Sequence, residues 1–313
     1  MEIAQIHSSD IASVIPQSIE DVVNMFIQAQ DVKPNSRLLY RRTLRQYFKW
    51  IDKKGYLLSE IARPQLIEYK EELLSSGMSS LTVGSYITSV RRFYEWAEAN
   101  KIYPNVGKGI KSPHRKQQFK KQPLLPDQAT ALLSYYQDKA LRDYAIVNLL
   151  LRTGLRTIEL IRADVGDITF KGSQRVLLIH GKGRDEKDNF VVLTDKAYQP
   201  LQEYLSTRGK VNISEPLFIS TSNNSKGERL STRTVSYIAK EGLKAIGLDE
   251  RSFTAHSLRH TTAVNILRAG GSLETAQFTL RHSNPATTQI YTATLNEERR
   301  LQNSGEALID NLF

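Results

Sequence analysis

Cysteine is absent from all 313 residues, which removes disulfides, thiolate metal sites and cysteine nucleophiles together. That absence fits the cytosol, and a cytoplasmic setting is expected. No stretch reaches the ~18 uninterrupted apolar residues of a membrane span. The opening segment, MEIAQIHSSDIASVIPQSIEDV, has acids early and no basic region leading into an apolar run, so it does not read as a signal peptide. No Gly-rich Walker loop occurs, and ATP is not expected. No paired carboxylates stand near His256 or His282, which argues against a zinc or two-magnesium nuclease. The expectation is a chain with no metal, no cofactor and no membrane partner. Internal repeats are missing as well.

What the sequence has in excess is positive charge. Lys and Arg number 43 against 33 Asp and Glu, a formal net charge of +10, with 40% hydrophobic residues, the composition of folded globular chains. The excess is uneven. Residues 1–123 hold 19 Lys and Arg against 12 acids, residues 124–313 hold 24 against 21. Arg37, Arg41, Arg42 and Arg45 lie in a run that meets only Asp31 and Asp52, and Lys111, Arg115 and Lys116 lie in another, residues 101–121, that meets no acid at all. Clustered cations suit a polyanion, because binding releases its condensed counterions; a solvated helix face gives the same pattern. Charge alone does not choose between DNA, RNA and an acidic membrane.

Apolar spacing divides the chain in two. Ser18 starts a helix with Ile19, Val22, Val23 and Phe26 on one face; another follows Ser36 through Tyr40, Leu44, Tyr47, Phe48 and Ile51; Pro64 opens a third and Ser80 a fourth. Residues 18–103 read as an all-helical domain after an extension of 17 residues, and 104–123 read as a basic linker. Past 124, helices at 127–137, 140–153, 195–207, 231–246, 257–269 and 273–281 surround a hairpin whose strands, Arg175–His180 and Asn189–Thr194, flank Gly181-Lys182-Gly183. The fold class expected is mainly α with a small β-sheet in the C-terminal domain, 124–313, and a tail from about 296.

Five short motifs follow one another in the second domain: Thr153-Gly154-Leu155-Arg156 with Glu159, Gly181-Lys182-Gly183, His256-Ser257-Leu258-Arg259-His260, His282, and Tyr291 nine residues later. Singly each has an ordinary reading. Arg156 could cap a buried acid, Lys182 could be an exposed turn lysine, and the histidines and Tyr291 could be core residues. In order and spacing, however, they resemble the tyrosine recombinase (phage integrase) family, whose pattern is Arg, Lys, His-x-x-Arg, His or Trp, and a nucleophilic Tyr. The likeness extends to the helical domain, notably Ser80-Leu-Thr-Val and Arg91-Arg-Phe-Tyr-Glu-Trp-Ala97, which is similar to the family's core-binding (SAM-like) domain. One departure stands at Arg281, where the family commonly has Gly before the second histidine.

The chemistry agrees with the residue types. Two guanidiniums, Arg156 and Arg259, can each donate paired hydrogen bonds to the non-bridging oxygens of a phosphodiester and keep their charge. Tyr291, with an ordinary pKa of ~10, is a better nucleophile near neutrality than a serine, and surrounding cations are expected to lower that value further. The resemblance implies Lys182 as general acid for the leaving 5′ oxygen, with His256 and His282 at the phosphate or the tyrosine proton. Glu159 and His260 read as structural support.

The resemblance implies a site-specific DNA recombinase working through a 3′-phosphotyrosyl intermediate, as a mobile-element integrase or a Xer-type resolvase. Its expected partners are double-stranded DNA with short inverted-repeat core sites, three further copies in a tetramer on two sites, and an accessory protein or partner recombinase. A type IB topoisomerase and a non-catalytic DNA-binding regulator remain open as alternatives. The small residues between Ser283 and Thr288 are expected to let Tyr291 move, and the tail docks either on its own domain or on a neighbour.

Overall fold

The computed structural model describes residues 18–114, 121–180, 186–282, 284–310 and 312. Two units divide the chain, Met1–Gln118 and Phe119–Phe313.

Among the described residues the first unit has four α-helices, α1 (Ile19–Gln28), α2 (Pro34–Lys54), α3 (Arg63–Ser75) and α4 (Ser80–Ala99), with one 3-10 turn at Leu58–Glu60. Local chemistry sets their ends. Ser18 Oγ accepts the Asp21 N–H at 3.2 Å and Ser79 Oγ accepts the Thr82 N–H at 3.2 Å, each satisfying a donor that the first turn leaves open. Pro34 opens α2 two residues before Ser36, its missing N–H costing nothing in the first turn. Gly55 closes α2 in the left-handed conformation at φ 71°. The faces read from the spacing are those that meet: Phe26, Leu44, Tyr47, Leu66, Tyr69, Val83, Ile87 and Val90 are all buried. The Tyr47 and Tyr94 hydroxyls, 2.9 Å apart, satisfy each other inside this aromatic core.

The second unit opens with α5 (Pro126–Gln137), α6 (Leu141–Thr153) and the short α7 (Thr157–Ile161). A three-stranded antiparallel sheet follows in the order β1 (Ile168–Lys171), β2 (Gln174–Ile179), β3 (Asn189–Val192). The hairpin read from the sequence is β2–β3, in register from Val176 opposite Val192 to Ile179 opposite Asn189. The edge strand β1 was not foreseen; it turns into β2 at Gly172, φ 59°. Then come α8 (Asp195–Thr207), α9 (Thr232–Ala245), α10 (Ala255–Arg268), α11 (Leu273–Leu280), α12 (Ala286–Gln302) and α13 (Gly305–Ile309).

One core gathers Leu132, Tyr136, Ile146, Leu149, Leu160, Leu177, Leu201, Val235, Ile238 and Leu258. A smaller one, Ala263, Val264, Leu267, Ala276, Leu280, Tyr291 and Leu295, joins α10, α11 and α12. The tail expected from about 296 therefore begins inside a continuous helix. Leu295 is buried in the unit's own core, and Glu298 is gripped by Arg268 Nη2 at 2.6 Å. Beyond them Leu301, Ile309 and Leu312 are exposed.

Candidate active site

Gly154 sets the geometry of the site. It ends α6 at φ 61°, and a Cβ on it would lie 2.5 Å from the Leu280 side chain, so the α6–α7 turn presses directly on the end of α11. Arg156 follows as N-cap of α7. Glu159, one turn on, bends back, its carboxylate accepting the Arg156 N–H at 2.8 Å and Arg156 Nη1 at 2.5 Å. Glu159 is only 2% exposed, and it serves more than one arginine. Arg281 Nη2 donates to it at 2.9 Å and Arg259 Nη1 stands 4.0 Å away. Three guanidiniums thus converge on one buried carboxylate.

Arg259, on α10, is itself 2% exposed and donates to the carbonyls of Gly154 and Leu280, bonding together the two segments that carry Arg156 and Arg281. Burial, with Arg156 and Arg281 nearby, pushes its pKa down to about 9, so it stays charged at neutral pH. Burial alone would raise the Glu159 pKa, but Arg281, the Arg156 N–H, and the Arg156 and Arg259 charges outweigh it and hold the carboxyl below its ordinary value.

His256 stands in the first turn of α10, three residues before Arg259, at an exposed position. It helps to line a cleft of about 820 Å³ whose walls include Lys121, Arg156, Lys240, Arg251 and Arg259, with Asp249 the acid among them. Partial desolvation, and then Arg259, Arg156 and Lys121, lower its pKa. His256 and His260 are four residues apart on one helix, a zinc-like spacing, but His260 is turned inward: its Nδ1 donates to the Lys121 carbonyl at 2.9 Å. Among the described residues no group of three or more His, Cys, Asp or Glu is placed to hold a metal ion.

Tyr291 lies on α12, 2% exposed, in the smaller core rather than in the cleft wall. Its ring centroid is 4.7 Å from that of His260 and 6.0 Å from that of His282, nearly parallel to the latter at 22°. The expectation that cations would lower its pKa is corrected here. Burial raises it, and Arg259 and Arg156 recover only part of that shift. His282 is pushed down to about 4 by burial and by Arg259, Arg156 and Arg281, and its Nδ1 lies 3.0 Å from Thr288 Oγ1.

The structure therefore brings Arg156, Glu159, His256, Arg259, His260, His282 and Tyr291 into one region of the second unit. Lys182 lies outside the described residues, as do Arg115 and Lys116. Arg37, Arg41, Arg42 and Arg45 lie on α2, and Lys111 is exposed. Arg45 meets an acid from outside that run, pairing with Glu20 of α1 at 3.3 Å, both side chains exposed. Arg41 donates to Asn24 Oδ1 at 2.7 Å and Arg37 to the Gln30 carbonyl at 3.0 Å. Sequence reading missed Lys240 and Arg251 in the cleft; Lys121, the last cation of the basic run at 101–121, joins them there. Lys240, whose Nζ donates to the Asp249 carbonyl at 2.7 Å, carried no signal, being one lysine on an amphipathic helix.

Arg281 adopts φ 55°, ψ 46°, the left-handed conformation that suits glycine. An Arg281→Gly variant loses the Glu159 ion pair and relieves the backbone; Arg281→Ala loses the pair and keeps the strain. Arg281→Gly is expected to be the more stable of the two by about 1 kcal/mol. Equal urea midpoints for the two variants would show that the backbone conformation costs nothing there.

An all-helical first unit before a mixed unit with a guanidinium-lined cleft is the build of an enzyme that breaks and rejoins DNA. The chain belongs to the phage integrase family: the family model matches residues 122–298, and the model of the phage integrase N-terminal SAM-like domain matches residues 19–101. Relatives include a tyrosine recombinase XerC of Pelobacter propionicus, 30% identical over 84% of this chain and 86% of its own length. A tyrosine recombinase XerD of Staphylococcus epidermidis is 32% identical over 88% of this chain and 92% of its own length. Two solved structures share the fold. XerH site-specific recombinase bound to a palindromic difH substrate has TM-score 0.72 at 19% identity, covering 93% of this chain and 85% of that one. The Tn1549 transposon integrase with transposon right end DNA has TM-score 0.67 at 19% identity, covering 91% and 99%. The chain is a site-specific DNA recombinase, and DNA is its partner.

Proposed function

We propose that the chain is a Xer-type recombinase acting at short inverted-repeat core sites, with four protomers assembled on two sites in the cytoplasm. The observation that carries the assignment of the chemistry is the convergence of Arg156 and Arg259 on Glu159 at a cationic cleft, beside the core that seats Tyr291. The Tyr291 phenolic oxygen attacks the scissile phosphorus and the bond to the 5′ oxygen breaks. Lys182 gives that oxygen its proton. Arg156 and Arg259 donate to the non-bridging oxygens as charge builds on the pentacoordinate phosphate, and His256 and His282 bond to the phosphate or take the phenolic proton. The 3′-phosphotyrosyl bond stores the energy of the broken linkage. A 5′ hydroxyl from the partner duplex attacks it, a new phosphodiester forms and Tyr291 is released. Resolution of repeated sites, rather than integration of a mobile element, is favoured by the Xer relatives, and an accessory protein or partner recombinase would set its direction. A plasmid with two copies of the core site in direct repeat tests this: it should resolve into two circles, and failure to resolve while joining to a second plasmid would favour an integrase.

Arg156, part-exposed at the cleft, gives the cleaner arginine test. Arg156→Ala is expected to slow single-strand cleavage of a nicked substrate by about 10²–10³-fold, with half-site affinity little changed. Equal losses in binding and cleavage would mean that Arg156 holds DNA rather than the transition state. Because Arg259 bonds two backbone carbonyls, Arg259→Lys, which keeps the charge, is the variant to compare, since Arg259→Ala would also loosen the fold.

The α2 arginines are proposed to track phosphates. Reversing charge at Arg41 and Arg45 together should weaken binding on all sequences alike and reduce the salt dependence of log K by about 2 in slope. An unchanged slope in a salt titration would move the DNA off this face.

A further inference from the structure

The chain enters the second unit along one face of α10. At Lys121 its carbonyl accepts from His260 Nδ1 at 2.9 Å. The Gln122 N–H donates to the Ser252 carbonyl at 3.3 Å, the Leu124 N–H to Thr261 Oγ1 at 2.8 Å, and Arg268 Nη1 to the Leu124 carbonyl at 3.2 Å. Two of these α10 residues also grip α12. The His260 ring packs against Tyr291, centroids 4.7 Å apart and planes at 44°. Arg268 Nη2 donates to both carboxylate oxygens of Glu298, at 2.6 and 2.8 Å, and Nε donates to one of them at 3.1 Å. His260 therefore has one edge on the entering chain and its ring against the tyrosine.

The tautomer is fixed by that edge. A carbonyl can only accept, so Nδ1 carries the proton. Burial pushes the His260 pKa down to about 4, so the ring is neutral wherever the enzyme works, and it is 1% exposed. Turning the ring would break the bond to Lys121 inside the protein, where a polar group without its partner is costly. While residues 121–124 stay seated, the Tyr291 ring meets His260 in a single orientation.

We infer that His260 is a positioning residue for Tyr291 whose orientation is set by the seating of residues 121–124, so that this segment of the second unit is coupled to the nucleophile through one imidazole. This rests on Tyr291 being the nucleophile. Displacement of Lys121 changes the ring against which Tyr291 packs, and with it the frequency at which the phenol reaches the phosphate. Arg268 acts beside it, tying the same entering segment to the far half of α12.

The test uses the full-length protein with 3-fluorotyrosine placed at position 291. Three variants are compared: His260→Phe, which keeps a ring but loses the bond to Lys121; His260→Asn, whose amide can restore that donor; and Thr261→Val, which removes the acceptor for Leu124 and touches neither His260 nor Tyr291 chemically. Half-site affinity, single-turnover cleavage of a nicked substrate and the fluorine resonance are measured for each. The expected result is unchanged affinity in all three. Cleavage should be about 10–100-fold slower in His260→Phe and nearer wild type in His260→Asn. The fluorine resonance should shift in both His260→Phe and Thr261→Val. Wild-type cleavage and an unmoved resonance in Thr261→Val overturn the coupling, and so does a parallel loss of affinity and cleavage in His260→Phe. If His260→Phe does not fold, Thr261→Val decides alone. Since the resonance reports on residue 291 whatever its role, a Tyr291→Phe protein that still forms an adduct refutes the nucleophile assignment without touching the coupling result.

Discussion

Tyr291→Phe should bind its half-site as wild type does and form no covalent protein–DNA adduct, a loss of more than about 10⁴-fold in cleavage if nucleophile removal here resembles that in other covalent enzymes. The substitution deletes one oxygen. The ring keeps its place among Ala263, Val264, Leu267, Leu280 and Leu295, so neither the fold nor the cationic cleft is disturbed. The wild-type seat explains why the loss should be complete. Burial holds the phenol above its ordinary pKa and the Arg259 and Arg156 charges offset part of that rise, so with Tyr291 as the proposed nucleophile the attacking oxygen depends on those two cations. Phenylalanine has no oxygen with which to attack the phosphorus. A nicked substrate whose short leaving strand diffuses away traps the adduct, and peptide mapping locates it. An adduct on Tyr291→Phe, at whatever residue, would displace the assignment.

The helical faces of the first unit were readable because a 3.6-residue period records one buried side per helix, and Phe26, Leu44, Tyr47, Val83 and Val90 stand where that period puts them. The motifs proposed for catalysis stand out because phosphoryl chemistry restricts residue type, while their order was read from the resemblance to a family. What escaped depends on partners distant in sequence. β1 spans four residues, Ile168–Lys171, too few for alternation to stand out, and exists through its pairing with β2. The start of α12 reads as a loop because Pro285, Ala286, Thr287 and Thr288 look like turn and β-branched residues; burial of Tyr291 and Leu295 holds it helical. The sign of the Tyr291 shift was misjudged for the same reason, since nearby cations can be guessed from motifs but desolvation cannot. Arg281 was visible as a departure from the family pattern, yet its tie to Glu159, 122 residues away, belongs to the fold.

Glu159→Gln should be the most destabilising single change in the site, because it removes the one negative charge shared by Arg156, Arg259 and Arg281 while leaving the guanidiniums in place. Arg259 is 2% exposed and the Arg281 side chain 10%, so neither can turn to water for compensation. Breaking a buried ion pair from one side costs about 3–5 kcal/mol, because the surviving charge is left uncompensated. For a unit of this size, each kcal/mol lowers the thermal midpoint by roughly 2–4 °C, so a fall of about 6–20 °C is expected at neutral pH. The pH dependence identifies the cause. The Glu159 carboxyl is held below its ordinary value in the folded state, so its contribution is fully present above the unfolded pKa of about 4.3 and is lost as pH falls through the lower folded value. Wild type should therefore lose stability on acidification into that window, Glu159→Gln should lose less, and the two midpoints should converge there. Cleavage should fall with the variant even well below its midpoint, since Arg156 then lacks the carboxylate that fixes its fork. Equal midpoints at neutral pH, or a constant offset between the two proteins down to the acid limit, would mean that Arg259 and Arg281 are held by the backbone carbonyls of Gly154, Thr279 and Leu280 rather than by Glu159.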